Sequence, residues 1–411
     1  MRNPIILDVE FVRHHFPSLN DWAFFENAGG TFVPRSVIDR IHRYMTETQV
    51  QPGGDYTASI DAAERIAESQ RLMAEMINAA PEEIVIGPSS TMNVYVLSHA
   101  LRAWFKPGDE LVVTNLDHET NIGAWRRLTE LGVVIKEWQL DAGTAELEVE
   151  RLAALLTERT QLVCFTACSN ITGAIHDVRA ITRLVHDAGA LACVDAVAYA
   201  PHRPLDVRAL DVDFCIFSTY KLYGPHLAIL YGKREHLLEA PGQNHFFIGE
   251  RDIPLKLNPG GVNHELTAAL AGITDYFDAI YDHHFPDKSA ERHQRVVDVF
   301  ELIANHEEVL AARFVDFLNT KSNVRLIGRA TADKARRASI FSFAVAGRDS
   351  GELPGRLAKQ RVAIRSGHFY AARCIEALGL ASQNGVVRAS MVHYNTLGEV
   401  DRLIARLDEA L

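Results

Sequence analysis

Short apolar runs alternate with amphipathic stretches through the middle of the chain. Seven runs rich in β-branched residues lie between residues 80 and 232, and this pattern predicts β-strands. Between them, in stretches such as 121–131 and 178–188, apolar residues recur every three or four positions, which predicts crossover helices. The alternation is typical of a mostly parallel α/β sheet. The predicted strands are 83–86, 111–114, 133–138, 162–166, 191–195, 214–218 and 227–231.

The pattern changes after about residue 285. A long polar helical stretch, 287–319, precedes shorter elements, and segment 240–263 contains the glycines and prolines of loops. We predict a large domain over 21–284, a smaller α+β domain over 285–411, and an N-terminal arm, 1–20, that packs with the smaller domain. The elements predicted in the smaller domain are a strand at 339–345, a helix from 351, a strand at 363–367, a helix at 371–378, a strand at 386–394 and a helix from 398.

Composition narrows the function classes. The 411 residues carry a net charge of −11, which repels polyanions, so we expect neither nucleic acid nor an anionic membrane as a partner. No apolar run is long enough to span a bilayer, and the N-terminus lacks the pattern of a signal peptide. The five cysteines show no paired CxxC spacing, which predicts reduced core thiols in a cytoplasmic protein and no metal site.

Polar residues close the predicted strands. In an open parallel sheet, ligands bind beyond the carboxyl ends of the strands, so these residues are expected to meet at one edge. Each also has a purely structural interpretation as a solvated loop residue, a turn former or a helix cap, and His118 and Asp117 could form a structural pair. The strand-end residues are Ser89, Ser90, Thr91, Asp117, His118, Ser169, Asn170, Asp195, Ser218, Thr219, Tyr220 and Lys221.

Lys221 and Asp195 suit pyridoxal phosphate. They are 26 residues apart, which fits one helical crossover and puts both at the same edge of the sheet. The cofactor needs an amine for its Schiff base, a carboxylate for its ring nitrogen and a group that stacks on its ring. Its phosphate needs hydroxyls and N–H groups at a helix N-terminus, which Ser89 to Thr91 and Ser218 offer. A doubly wound nucleotide binder is the competing class, but no glycine-rich phosphate motif follows a strand.

Several segments resemble the class V aminotransferase family, most closely its cysteine desulfurase and selenocysteine lyase branch. The resemblance covers nearly the whole chain and implies the fold of type I pyridoxal-phosphate enzymes, a mostly parallel seven-stranded sheet with a smaller α+β domain. It also implies a homodimer. The segments are FFENAGGTFVP, GPSSTMN, LDHETNIGAW, ACSNITG, VDAVAYAPHRPLDV, DFCIFSTYKLYGPH, IRSGHFY and VVRASMVHYNT.

The resemblance implies roles for individual residues. Lys221 would carry the cofactor and then move the proton at the substrate Cα, Asp195 would pair with the ring nitrogen, and His118 would stack on the ring. Arg388 would clamp the substrate carboxylate, with Arg365 as a second candidate. The further implied contacts are Ser89, Ser90, Thr91, Ser218, Asn170 and Tyr220 for the cofactor, and Asn27, Ala28 and Tyr370 for the substrate.

The chain departs from the branch at positions that matter for its chemistry. Tyr370 stands where desulfurases carry the cysteine that takes up the substrate sulfur, and Cys374 has the helical spacing of a core residue. Tyr220 replaces the usual histidine before the lysine, and Ala198 replaces a glutamine that bonds the cofactor's phenolic oxygen. Gly261 stands where relatives place a phosphate-binding threonine from the partner subunit.

These observations predict a pyridoxal-phosphate enzyme that acts on a small α-amino acid. Desulfurase-like C–S lyase chemistry or a related β-elimination ranks first, and transamination or epimerisation is the alternative. Tyr370 is either a proton donor or a wall of the pocket. A more remote hypothesis is a non-catalytic binding protein that retains the fold.

Overall fold

A computed structural model describes residues 5–411; residues 1–4, part of the predicted N-terminal arm, lie outside the described residues. The strands are β1 Ala23–Phe24, β2 Ile84–Gly87, β3 Glu110–Thr114, β4 Val134–Trp138, β5 Thr160–Thr166, β6 Leu191–Asp195, β7 Phe214–Ser218, β8 Ala228–Gly232, β9 Val324–Leu326, β10 Ile340–Val345, β11 Val362–Ala363, β12 Arg365–Gly367 and β13 Val386–Ser390. The helices are α1 Val9–His14, α2 Arg35–Glu47, α3 Thr57–Met76, α4 Ser90–Leu101, α5 Gly123–Arg126, α6 Val149–Leu155, α7 Val178–Asp187, α8 Val207–Leu210, α9 Arg234–Glu239, α10 His264–Ala269, α11 Ala271–His284, α12 Arg292–Asn319, α13 Glu352–Ala358, α14 Ala372–Ala377 and α15 Leu397–Asp408.

A seven-stranded sheet organises the larger part of the chain. Its strand order is β2-β8-β7-β6-β5-β3-β4, and all seven strands predicted between residues 80 and 232 belong to it. The strands from β7 to β4 pair in parallel, whereas β8 is antiparallel to both of its neighbours. The predicted α/β fold with a mostly parallel seven-stranded sheet is therefore confirmed.

Both faces of this sheet are buried. Along β5, Leu162 and Cys164 belong to one apolar cluster, while Val163 and Phe165 belong to another on the opposite face. Successive side chains of a strand point to opposite faces, so a run that is apolar throughout needs helices on both sides. Every residue of β7 is also buried, so only the ends of the central strands are available to contact a ligand.

A second, antiparallel sheet has the order β12-β13-β10-β9. It shares a separate apolar cluster with α12, α13 and α15. The two-residue strands β1 and β11 pair in parallel nearby, so the start of the chain joins the C-terminal part. The predicted helix 287–319 is found as α12, and the predicted strand 339–345 is found as β10.

Three predicted elements were wrong in extent. The strand predicted at 386–394 ends at Ser390, because Val392 turns to donate its N–H to Asn395 Oδ1 and His393 leaves the sheet to bond Tyr276. The strand predicted at 363–367 is split between two sheets, as β11 and β12. The helix predicted at 121–131 consists of 3₁₀ turns on either side of the short α5.

The N-terminal helix α1 contacts both parts of the molecule. Arg13 pairs with Glu399 of α15 and donates to the carbonyl of Tyr394, whereas Phe11 stacks on His283 at the end of α11. The arm at 1–20 and the boundaries at 21–284 and 285–411 stay predictions. Among the helices of residues 5–411, none is long and apolar enough to cross a membrane.

The two sheets meet closely at Gly173, in the loop after β5. Gly173 has φ +69°, donates its N–H to Ser169 and accepts a hydrogen bond from the N–H of Ala338, just before β10. A Cβ at this position would lie 2.4 Å from the carbonyl oxygen of Ile340. Glycine is therefore required both by backbone conformation and by the approach of the second sheet.

We expect Gly173→Ala to destabilise the protein more than the matched variant Gly189→Ala. Gly189 has φ +79° but no atom within 4 Å of an added Cβ, so it reports the backbone strain alone, about 1 kcal/mol. Displacing the Ile340 carbonyl should remove a further ~1–3 kcal/mol of the free energy of unfolding. Chemical denaturation of both variants measures the difference, and equal losses would show that the contact between the sheets has no energetic weight.

Candidate active site

A cavity opens at the carboxyl ends of the central strands. All nine residues predicted to bind the cofactor line it, together with five others. The lining residues are Ser89, Ser90, Thr91, His118, Thr120, Thr166, Cys168, Asn170, Val197, Ala198, Asp195, Ser218, Tyr220 and Lys221.

The sheet itself sets the floor of this cavity. Asp195 is the last residue of β6 and lies opposite Thr166, the last residue of β5, in their parallel register. Ser218 is the last residue of β7, on the other side of β6. Because parallel strands end at the same edge, the sheet brings these polar side chains together although they are far apart in sequence.

Lys221 closes a 3₁₀ turn that follows β7. The turn is anchored because Thr219 Oγ1 donates to the carbonyls of Pro225 and Leu227, at 2.7 and 3.0 Å. The Lys221 side chain is 7% exposed, and its amine forms neither a hydrogen bond nor an ion pair with any residue that the structure describes. Burial, and secondarily the positive charge of Arg388, lowers the pKa of this amine below its usual value. The buried amine therefore loses its proton more readily than an ordinary lysine, which favours its action as a nucleophile.

Asp195 is the buried anion of the site. One carboxylate oxygen accepts a hydrogen bond from the N–H of Val197 at 2.8 Å, and the other has no partner among the described residues. Burial raises the pKa of Asp195, while the Val197 N–H and the charge of Lys221 act in the opposite direction. A carboxylate with a free oxygen inside a cavity is suited to a cationic N–H donor.

His118 is held by the turn after β3. Thr114 Oγ1 accepts from the N–H of Asp117 and donates to its carboxylate at 2.6 Å, so Asp117 pairs with Thr114 rather than with His118. His118 Nδ1 accepts the N–H of Thr120 at 3.1 Å, which leaves the ring proton on Nε2. Burial, with the charges of Lys221 and Arg388, lowers the pKa of His118 to about 3. The imidazole is therefore neutral, as a stacking partner should be.

Hydroxyl groups cluster at the N-terminus of α4. Ser89 caps this twelve-residue helix by accepting the N–H of Met92, and Ser90 Oγ lies 2.8 Å from Ser218 Oγ. Thr91 Oγ1 lies 2.8 Å from Thr120 Oγ1. Hydroxyls combined with the positive end of a helix dipole form a suitable site for an anion such as a phosphate.

Two predicted substrate residues lie beside the cavity. Arg388 is buried on β13, and its Nη1 donates to the carbonyl of Asn170 at 3.1 Å. Tyr370 is 69% exposed, and its ring centroid lies 5.3 Å from that of His118. Tyr370, which the resemblance aligns with the desulfurase cysteine, thus lies next to the imidazole of His118.

The other three predicted substrate residues are placed differently. Arg365 is exposed and forms an ion pair with Glu26 at 2.8 Å. Asn27 is buried, and its amide is fully engaged with main-chain carbonyls, Asn395 and the Tyr394 hydroxyl. Ala28 packs in a small apolar cluster with Ala198, close to the cavity. Their contacts with a substrate stay predictions, and the described bonds give Asn27 a structural role.

The thiols are not activated. All five cysteines are buried and free. Cys168 lines the cavity, but burial raises its pKa to about 12, and burial also raises the pKa of Cys374 to about 12. Neither is a thiolate near neutral pH, so neither has the reactivity of a sulfur-accepting cysteine.

Several lining residues were not predicted. Thr166 ends β5 and could have been found by the same strand-end rule that selected Asp195. Thr120 and Val197 lie two residues beyond His118 and Asp195 and orient them through main-chain N–H groups. Glu26 does not line the cavity, but it pairs with Arg365, 339 residues away in sequence, and no local signal indicates that contact.

Comparison with known proteins identifies the family. The family model described as aminotransferase class-V matches residues 23–403. The chain belongs to the class V aminotransferase family. Members of this family use pyridoxal 5′-phosphate, so the protein is a pyridoxal-phosphate-dependent enzyme.

The relatives of this class V aminotransferase family member include proteins named aminotransferase-like and cysteine desulfurase-like. An aminotransferase-like protein of Gibberella zeae is 38% identical, with 98% of each chain covered. A cysteine desulfurase-like protein of Aspergillus flavus is 35% identical over 98% of this chain and 91% of its own. The apo structure of a cysteine desulfurase from Thermococcus onnurineus superimposes with a TM-score of 0.87 at 25% identity, covering 99% of this chain and 98% of that one.

The cavity of this family member fits the cofactor. It combines an unpaired amine, a carboxylate with a free oxygen, a neutral imidazole and a hydroxyl-lined helix N-terminus. Lys221 would hold the aldehyde carbon, Asp195 the ring N–H, His118 the ring face, and Ser89 to Thr91 with Ser218 the phosphate. Ala198 lines the same cavity and has no polar group to offer the phenolic oxygen.

The pKa of Lys221 predicts how cofactor loading depends on pH. Only the uncharged amine attacks an aldehyde, so the loading rate of the cofactor-free protein should rise with pH, with a midpoint below the usual lysine pKa of ~10.4. Because the charge of Arg388 contributes to this lowering, Arg388→Met should move the midpoint to higher pH. Arg388→Lys, which keeps the charge, should move it less. Visible absorbance followed at a series of pH values measures the rate, and identical midpoints in the two variants would contradict the effect.

Proposed function

We propose that this enzyme acts on an L-α-amino acid with a sulfur or related leaving group at Cβ, and that it breaks the bond to that group by β-elimination. The names of its desulfurase-like relatives support sulfur chemistry. The observation that carries the proposal is the replacement of the sulfur-accepting cysteine by Tyr370, combined with the buried, protonated state of Cys168 and Cys374. Without an acceptor thiolate among the described residues, the sulfur leaves as a free thiol or sulfide.

Each polar residue of the cavity has a separate role in the proposed elimination. When bound, pyridoxal phosphate links to the substrate amine and accepts the electron pair released at Cα. With the cofactor bound, the Lys221 amine would take the Cα proton, Asp195 would keep a proton on the ring nitrogen, and Arg388 would hold the substrate carboxylate. The Cα electron pair then forms the Cα–Cβ double bond while the Cβ–S bond breaks, and the sulfur takes up a proton. Water hydrolyses the unsaturated product, so cysteine would give pyruvate, ammonia and hydrogen sulfide.

We expect the purified enzyme with cofactor to release pyruvate from L-cysteine or an S-substituted L-cysteine when no keto acid is present. A coupled lactate dehydrogenase assay measures pyruvate, and Lys221→Ala is the matched inactive control because it lacks the base at Cα. Alanine formation with sulfur transferred to an added thiol would instead indicate desulfuration. Strict dependence on an added keto acid would assign transamination, and loss of optical activity alone would assign epimerisation; each would overturn the proposal.

We also propose a cytoplasmic homodimer. Two adjacent aromatic residues, Phe246 and Phe247, are 99% and 68% exposed in the loop before the 3₁₀ turn Leu255–Leu257, and the first residue of that turn, Leu255, is also exposed. Adjacent exposed aromatic residues of this size are characteristic of an interface rather than of a solvated loop.

Light scattering is expected to give twice the chain mass of 45.7 kDa, and Phe246→Ser with Phe247→Ser should shift the population toward monomer. The matched control is Val309→Ser, which removes an isolated exposed apolar side chain on α12 and should leave the dimer unchanged. A monomeric wild-type protein, or a dimer insensitive to the paired change, would contradict the assignment of this surface.

A further inference from the structure

The loop that contains Tyr370 is held in an unusual backbone conformation. Gly367, Phe369 and Tyr370 all have positive φ, at +132°, +47° and +60°. Two non-glycine residues in the left-handed region need compensating contacts. Two hydrogen bonds supply such contacts. Asn170 Nδ2 donates to the carbonyl of Phe369 at 3.0 Å, and the N–H of Glu119 donates to the carbonyl of Tyr370 at 2.7 Å.

The conformation places the ring of Phe369 against Arg388. The guanidinium carbon of Arg388 lies 3.7 Å from the centroid of this ring, which is a close cation–π contact. Stacking covers one face of the guanidinium and leaves its N–H groups at the edge. Phe369 is 19 residues from Arg388 in sequence, and no motif in the sequence indicates the contact.

Arg388 has unused hydrogen-bonding capacity. Of its five N–H donors, one bonds the carbonyl of Asn170, and the buried Nε has no partner among the described residues. The charged groups that act on it are Glu26, with opposite charge, and Arg365, with like charge. Burying a cation whose N–H donors are unpaired costs free energy unless an anion accepts hydrogen bonds from those donors. A carboxylate in the plane of the guanidinium would accept two parallel hydrogen bonds.

We propose that Phe369 is a positioning residue for the substrate carboxylate. Its ring fixes the plane of the Arg388 guanidinium, and Asn170 fixes both partners, because its carbonyl accepts from Arg388 and its amide donates to Phe369. The free edge of the guanidinium is thereby presented in one orientation to a carboxylate. The inference rests on the proposed role of Arg388 as the carboxylate clamp.

The test compares the binding of L-alanine and ethylamine to the enzyme loaded with cofactor. The two probes share an amine, only L-alanine has a carboxylate, and neither has a leaving group at Cβ, so the result is independent of the proposed elimination. Binding is followed by the change in visible absorbance. Phe369→Leu should weaken L-alanine binding roughly 2- to 30-fold, the range expected for a lost cation–π contact, and leave ethylamine binding unchanged. Phe369→Tyr, which keeps the ring face, should restore L-alanine binding.

A double-mutant cycle separates this inference from its premise. In the Arg388→Ala background, Phe369→Leu should cause no further loss of L-alanine binding. If Arg388→Ala alone leaves L-alanine binding intact, the clamp role fails and the inference fails with it. If Arg388→Ala weakens L-alanine binding but Phe369→Leu and the second non-aromatic variant, Phe369→Met, do not, only the role of Phe369 is overturned. Equal weakening of both probes by Phe369→Leu would likewise overturn it, since that result indicates general disruption of the site.

Discussion

The site depends on an amine and a carboxylate that are buried in one cavity and form no ion pair with each other. Asp195 ends β6, and Lys221 ends the turn that follows the neighbouring strand β7. The Lys221 amine and one carboxylate oxygen of Asp195 form no hydrogen bond with any described residue. In a protein interior such groups normally neutralise each other or become hydrogen bonded, because the loss of hydration is costly. Asp195 ends β6 and Lys221 lies in the turn after β7, so strands that are buried on both faces fix the main chain of both residues. A ligand that offers an electrophilic carbon at one end and a cationic N–H at the other satisfies both groups.

The surrounding groups are consistent with this arrangement. Burial, with the charges of Lys221 and Arg388, lowers the pKa of His118, so the imidazole stays neutral and adds no further charge to the cavity. Asp117 lies deeper and is bonded by Thr114, and burial raises its pKa, which limits the negative charge beneath the site. Hydroxyls, which bind anions without a formal charge, form the far wall at α4.

The sequence allowed the large sheet and the cofactor side of the cavity to be predicted, because strands with apolar residues on both faces leave only their ends for chemistry. Asp195 and Lys221 can therefore be recognised from the sequence alone, because Asp195 ends a predicted strand and Lys221 follows one. The substrate side was harder: Phe369 and Glu26 act through contacts between distant segments, and the extent of β13 is decided by the bond between His393 and Tyr276. Helix α3 was not predicted, since its many alanines give little contrast between its faces.

The hydrogen bonds of Asn170 link the two sheets mechanically. It belongs to the loop after β5, yet its main chain bonds Arg388 of the second sheet and its side chain bonds the loop that follows β12. Sliding one sheet over the other would therefore rupture two hydrogen bonds at a single residue. Asn170 therefore links the cofactor pocket to the arginine, and the exposed Tyr370 lies beside this link.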